Sequence, residues 1–155
     1  MPTITALVHT ENDGLRIGRC LEMLYVCDDI VIVDHDSRDD TIRVARQYGA
    51  RMISAAAAGE LPVASGWLLC LDPRESISEG LTASLYEYKS GSLPLNPSEA
   101  FSFLLREETV AGWIEHTAAQ TRLVPATWKH WRDGLPLNRA SSRLMQGEIL
   151  RFAFP

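Results

Sequence analysis

Apolar and polar positions alternate along the first half of the chain in a repeating order. Thr3 to Val8 is a short apolar run and predicts a strand, closed by the polar loop His9 to Gly14. Ile17, Cys20, Leu21, Leu24 and Tyr25 recur at i, i+3, i+4, i+7 and i+8, one face of a helix. Ile30 to Val33 is β-branched throughout and predicts a strand buried on both faces, which delivers Asp34 to its carboxyl end. Ser37 to Thr41 supplies short polar side chains that favour a turn and a helix start. A second helix is predicted over Thr41 to Tyr48, with Ile42, Ala45 and Tyr48 inward and Gly49 as its C-cap. Arg51 to Ile53 is a third strand. This β-α-β-α-β order implies right-handed crossovers and a parallel sheet.

The second half is less regular. Ala55 to Ser65 is small and featureless and reads as a linker. Trp67 to Asp72 is a fourth strand that again ends in aspartate, and Pro73 stops it. Ile77, Leu81, Leu85 and Tyr88 predict a third helix ending before Gly91, and Ser92 to Ser98 is a loop holding Pro94 and Pro97. Ala100 to Leu105 predicts a fifth strand. Beyond Gly112 the pattern supports a short strand over Thr121 to Val124, a helical turn over Thr127 to Trp131 and a last strand over Ile149 to Phe154. There is no internal repeat. The expected core includes Leu21, Leu24, Ile30, Ile32, Leu69 and Leu71. Open α/β sheets bind ligands outside the carboxyl ends of their strands, so Asp34 and Asp72 are expected to face one cleft.

Composition narrows the picture. A length of 155 residues suits a single domain, 1–155. A net charge of −5 without a Lys/Arg block argues against nucleic acid or an anionic membrane surface as partner. Cys20, Cys27 and Cys70 lack metal-ligand spacing; Cys20 and Cys70 sit inside apolar patterns and read as reduced core residues, which predicts the cytoplasm. No apolar stretch is long enough to span a bilayer, and no signal peptide is expected.

Three segments resemble the family-2 glycosyltransferases of the GT-A fold, in the branch that builds lipopolysaccharide cores. Thr10-Glu11-Asn12-Asp13 is similar to the family's T-x-N-E. Asp34-His35-Asp36-Ser37-Arg38-Asp39-Asp40-Thr41 is similar to D-S-x-S-x-D-x-T. Trp67 to Glu75 is similar to W-hydrophobic-L-D-A-D-E. Gly112-Trp113, His116 and Arg122-Leu123 are weaker echoes. The resemblance implies a shortened three-layer α/β fold with a mainly parallel sheet, its nucleotide-binding half over 1–90 and a reduced acceptor-side half over 91–155. It also implies a nucleotide-sugar donor such as a UDP-sugar, inversion at the sugar carbon, a role in a bacterial envelope glycan, and a manganese or magnesium ion held by paired carboxylates.

The chain departs from that plan. Arg74 replaces the second aspartate of the D-x-D, and a guanidinium cannot ligate a metal. Asp72 remains as the metal candidate, with Glu75 as a doubtful second, so a divalent ion is expected to bind poorly. The helix that carries an Arg-Asn pair before the fourth strand is missing, and no residue matches the catalytic base. The expected nucleotide-binding set is Thr10, Glu11, Asp34, Asp36, Asp72 and Arg74, with Arg74 set to meet a diphosphate directly. Glu107, Glu108 and Glu115 read as solvated carboxylates, and His116 and His130 as rings packed near Trp113, Trp128 and Trp131. The expectation is a truncated, partly degenerate transferase of weak or lost activity. The alternatives are a non-catalytic nucleotide-binding or assembly module and, remotely, a haloacid-dehalogenase-like phosphatase with Asp34 as nucleophile.

Overall fold

A computed structural model describes residues 2–57, 66–91 and 100–155. In chain order the elements are β1 (Ile4–Thr10), α1 (Ile17–Glu22), β2 (Asp29–Asp34), α2 (Thr41–Gln47), β3 (Arg51–Ser54), β4 (Trp67–Leu71), β5 (Glu75–Ile77) and α3 (Glu79–Lys89). They are followed by β6 (Phe101–Thr109), β7 (Gly112–Glu115), β8 (Gln120–Pro125), β9 (Trp131–Arg132), β10 (Leu135–Pro136) and β11 (Arg143–Arg151). One sheet runs in the order β3-β2-β1-β4-β8-β6-β11-β5, with β7 added to β6. The first-half strands pair in parallel, as the β-α-β-α-β pattern predicts. The second half enters through β8, antiparallel to both β4 and β6, and β11 then lies parallel to β6.

That topology decides where chemistry gathers. With β8 reversed, β6 and β11 point the same way as β4, so their carboxyl ends share an edge with those of β1 and β2. Strand β5 starts at that same edge, Glu75 opposite Arg151.

Alternation along the strands splits the core in two. Ile4, Ala6 and Val8 of β1, with Ile32, Leu69 and Leu71, pack against Ile17, Cys20 and Leu21 of α1, Ala45 of α2 and Leu81, Leu85 and Tyr88 of α3. On the opposite face Leu7, Val31, Val33, Leu68, Cys70 and Val124 pack against Trp128, Trp131 and Leu135. The third layer is thus built from the β9–β10 ribbon and its flanks. Fully apolar strands are what a sheet covered on both sides requires.

Several expectations need correction. Ile77 lies in β5, and Ser78 caps α3 by accepting from the Leu81 amide at 3.2 Å. Helix α1 ends at Glu22 and tightens into a 3-10 turn over Leu24–Val26, which turns Tyr25 outward to 62% exposure. Tyr48 sits at the C-cap of α2 and is exposed rather than inward. Ile30 is only half-buried because it opens β2 near the sheet's far end, whereas Leu21, Leu24, Ile32, Leu69 and Leu71 are buried. Residues 127–131 form no helical turn. The last strand starts earlier than expected, at Arg143, and stops at Arg151. Ala55–Ala57 is one 3-10 turn; the rest of the linker and the loop with Pro94 and Pro97 lie outside the described residues.

Candidate nucleotide cleft

Adjacent parallel strands bring Thr10 and Asp34 into register at the ends of β1 and β2. The Thr10 hydroxyl donates to Asp34 Oδ1 at 2.7 Å, and Ser37 donates its hydroxyl to Oδ1 at 2.6 Å and its amide to Oδ2 at 3.0 Å. Asp34 is 7% exposed. Burial pushes its carboxyl up, but the bonds from Ser37 and Thr10 outweigh burial and hold it below the ordinary range. Oδ1 thus accepts two bonds and Oδ2 one, and Asp34 ties the ends of β1 and β2 together as the floor beneath Thr10.

The two loops above this floor are laced by each other's side chains. The Asn12 amide donates to Ser37 Oγ at 2.9 Å, and the Arg38 amide to Asn12 Oδ1 at 2.8 Å. Asp13 and Gly14 donate their amides to Thr41 Oγ1 and Asp39 Oδ2 at 2.8 and 2.9 Å. Asp39 also accepts from the Thr41 hydroxyl and amide. Asn12 and Asp36 sit at φ of +54°, a left-handed conformation that Asn and Asp tolerate best among residues with a Cβ. Asp36 is exposed at this turn. The run of short polar residues was legible as turn chemistry, and that is the role it has.

His9, Thr10, Glu11, Asp13, Arg16, His35, Asp72, Pro73 and Arg74 line one open cleft of about 320 Å³. Four of the six candidate residues, Thr10, Glu11, Asp72 and Arg74, thus meet in one place. Asp72 Oδ1 accepts from the Arg74 amide and Nε, both at 2.9 Å, and Oδ2 lies 3.3 Å from Arg74 Nη2. Burial raises the Asp72 carboxyl, and the Arg74 bonds outweigh it and hold it low. Arg74 is fixed from the other side, where its carbonyl accepts the Phe152 amide at 2.9 Å.

Glu75 points away from the cleft. It is buried and accepts from Arg122 at 2.5 and 2.9 Å, from Arg151 at 3.1 and 2.9 Å, and from the Asp72 amide at 2.8 Å. The network continues through Arg151 to Glu107 at 3.7 Å and from Glu107 to His116 at 3.1 Å. His116 is therefore hydrogen-bonded to Glu107 rather than ring-packed, while His130 meets Trp128 edge-on as expected. The donor set does not fit a divalent ion. Arg74 occupies both Asp72 oxygens, Glu75 is closed off by two guanidiniums, and no three His, Cys, Asp or Glu among the described residues are grouped to hold a metal.

The sequence reading passed over His9, Arg16 and His35. His9 Nδ1 and His35 Nε2 are 3.0 Å apart at the ends of β1 and β2. Burial, then the neighbouring His35, lower the His9 pKa. The unfolded chain therefore takes up this proton first. Stability contributed by neutral His9 is present above the unfolded value of about 6.5 and is lost as pH falls from there toward the folded value. Urea midpoints measured at pH 8, 7 and 6 should decline, and His9→Asn should flatten the decline; equal slopes would refute this assignment.

No family model matches the chain. It is 31% identical over 90 residues to an uncharacterized glycosyltransferase of Rickettsia felis, an alignment that covers 52% of this chain and 32% of that one. The chain thus spans about a third of that relative's length. Among solved structures, a mycobacterial protein superimposes with a TM-score of 0.51 at 17% identity, over 68% of this chain and 41% of its own. Glucosyl-3-phosphoglycerate synthase from Mycobacterium tuberculosis, crystallised with Mn2+, uridine diphosphate and glucosyl-3-phosphoglycerate, gives a TM-score of 0.45 at 20% identity over 68% of this chain and 43% of its own. The chain resembles glycosyltransferases in sequence, and its fold is of the GT-A-like α/β type. No helix among the described residues is long and apolar enough to cross a membrane.

Proposed function

We propose that this chain is the nucleotide-binding part of a glycosyltransferase, and that its cleft seats the nucleoside diphosphate of a sugar nucleotide. One observation carries the reading: Thr10, Glu11, Asp72 and Arg74, picked from motifs far apart in sequence, line one cleft at the strand carboxyl ends, in a chain similar to glycosyltransferases. Thr10 and Glu11 face the nucleoside, with Asp34 holding the floor beneath them. Arg74 faces the diphosphate. Residues 1–155 act as one unit, because the second half completes the same sheet and supplies Arg122 and Arg151 to the Asp72–Glu75 turn.

Sugar transfer by this chain alone is proposed to be weak or lost. Departure of the diphosphate needs concentrated positive charge, and the usual paired carboxylates are not available to hold an ion. The non-catalytic reading, a nucleotide-binding or assembly module, is favoured by this same Asp72–Arg74 pairing.

Thermal shift tests the binding. Millimolar UDP should raise the melting temperature, since a ligand at about 100 times its Kd adds about 2.7 kcal/mol of stability. Glu11→Ala should reduce the rise while leaving the unliganded midpoint unchanged. If no nucleoside diphosphate shifts the midpoint, with or without manganese, the proposed function is wrong.

A further inference from the structure

Taking the proposed nucleotide site as its premise, we infer that the cleft binds a nucleoside diphosphate without a divalent ion, and that the Arg74 guanidinium supplies the positive charge at the diphosphate. The geometry of the Asp72–Arg74 turn carries this. Asp72 accepts three bonds from Arg74, through its amide, Nε and Nη2. The fork leaves Arg74 Nη1 without a hydrogen bond among the described residues, on a side chain 48% exposed and lining the cleft. Pro73 fixes the backbone between the two residues, and the Phe152 amide fastens the Arg74 carbonyl. The guanidinium is thus held in one orientation before any ligand arrives, which lowers the ordering cost of binding.

An ion at Asp72 would have to displace Arg74, break those three bonds and then sit beside a fixed cation. The neighbouring carboxylate gives it no help, because Glu75 turns into the buried network with Arg122 and Arg151. Across the cleft, Arg16 lies 3.7 Å from Asp13 with its side chain 31% exposed and offers a second cation. Three carboxylates, Glu11, Asp13 and Asp72, also line the cleft. Asp72 and Asp13 are matched by Arg74 and Arg16 and Glu11 is left over, so these groups do not add up to a positive field at the diphosphate and the affinity is modest.

Calorimetric titration of UDP in excess chelator and in excess manganese separates the cases. The wild type should bind equally in both. Arg74→Ala should weaken binding about tenfold or more in both, as loss of a charge-assisted contact does. Arg74→Asp restores a second carboxylate and should lose binding in chelator while recovering it in manganese. Unliganded melting curves confirm that each variant folds, and Arg74→Lys, which keeps the charge but not the fork, serves in place of any that does not: it should bind more weakly than wild type, equally with and without manganese. Wild-type binding that chelator abolishes, or binding that survives Arg74→Ala unchanged, overturns this inference and leaves the nucleotide site standing. Binding under no condition overturns both.

Discussion

Replacing Glu75 with alanine is expected to destabilise the protein by about 3–5 kcal/mol, because it leaves the buried Arg122 without its counter-charge. The side chains of Glu75 and Arg122 are 0% and 2% exposed, and without Glu75 the Arg122 guanidinium keeps the Cys70 carbonyl, at 3.3 Å, but no carboxylate among the described residues. The alanine also strips the acceptor from the Asp72 amide and one partner from Arg151. The expectation can be separated from simple cavity formation. Glu75→Gln keeps the volume and removes the charge, and should already show most of the loss. Adding Arg122→Leu to Glu75→Ala should recover stability, since an apolar replacement of a whole buried pair is often neutral. Urea unfolding of the three variants decides it. A loss under about 1 kcal/mol for Glu75→Ala would mean that water reaches Arg122 and that the pair is not buried in solution.

The same residues show what a sequence does and does not disclose. The first half was legible because β1, β2 and β4 carry apolar runs and the helices between them keep one apolar face, so period separates the elements. The cleft was legible in outline, because two buried strands both end in aspartate. What failed was local. Ile77 has helical spacing to Leu81 and Leu85, yet pairing with Ile149 holds it in a strand; the signal for the true helix start was Ser78, a capping residue three positions before Leu81. Of the bonds that Asp34 accepts, those from Ser37 are local, but the one from Thr10 comes from β1, 24 positions away, and no spacing rule shows it. Arg122 and Glu75 lie 47 positions apart, and no spacing rule joins them. A clue was present nonetheless. An arginine inside the apolar strand Thr121 to Val124 has to find a partner if it is buried, and such partners are carboxylates. In the second half the antiparallel strands carry mixed polarity, because β6, β7 and β11 rise past the covered part of the sheet, where Glu107, Glu115 and Arg151 form ion pairs instead of core.

Gly147→Ala is expected to cost about 2–6 kcal/mol, summing left-handed backbone strain and a steric conflict with α3. Gly147 interrupts the pairing of β11 with β6, where the register shifts between Leu144 and Glu148, and adopts φ of +113°. The first turn of α3 rests on it. The Glu148 amide donates to Ser78 Oγ and the Ser78 amide to the Glu148 carbonyl, both at 3.0 Å, and Ser84 donates to the Gln146 carbonyl at 2.6 Å. A Cβ on Gly147 would lie 2.3 Å from the Leu81 nitrogen and 2.4 Å from its Cα, atoms of the helix backbone that no side-chain rotation can move. Either the helix lifts and these bonds stretch, or β11 flattens and loses its register. Gly112 provides the control. Its φ of +117° imposes comparable backbone strain at the start of β7, but a Cβ there meets nothing within 4 Å. Gly112→Ala should therefore cost only about 1–3 kcal/mol, the backbone part alone. The difference between the two variants, read from urea unfolding, measures how firmly α3 is seated on β11. Equal losses would show that the helix shifts freely and that the contact is not part of what fixes the second half of the sheet.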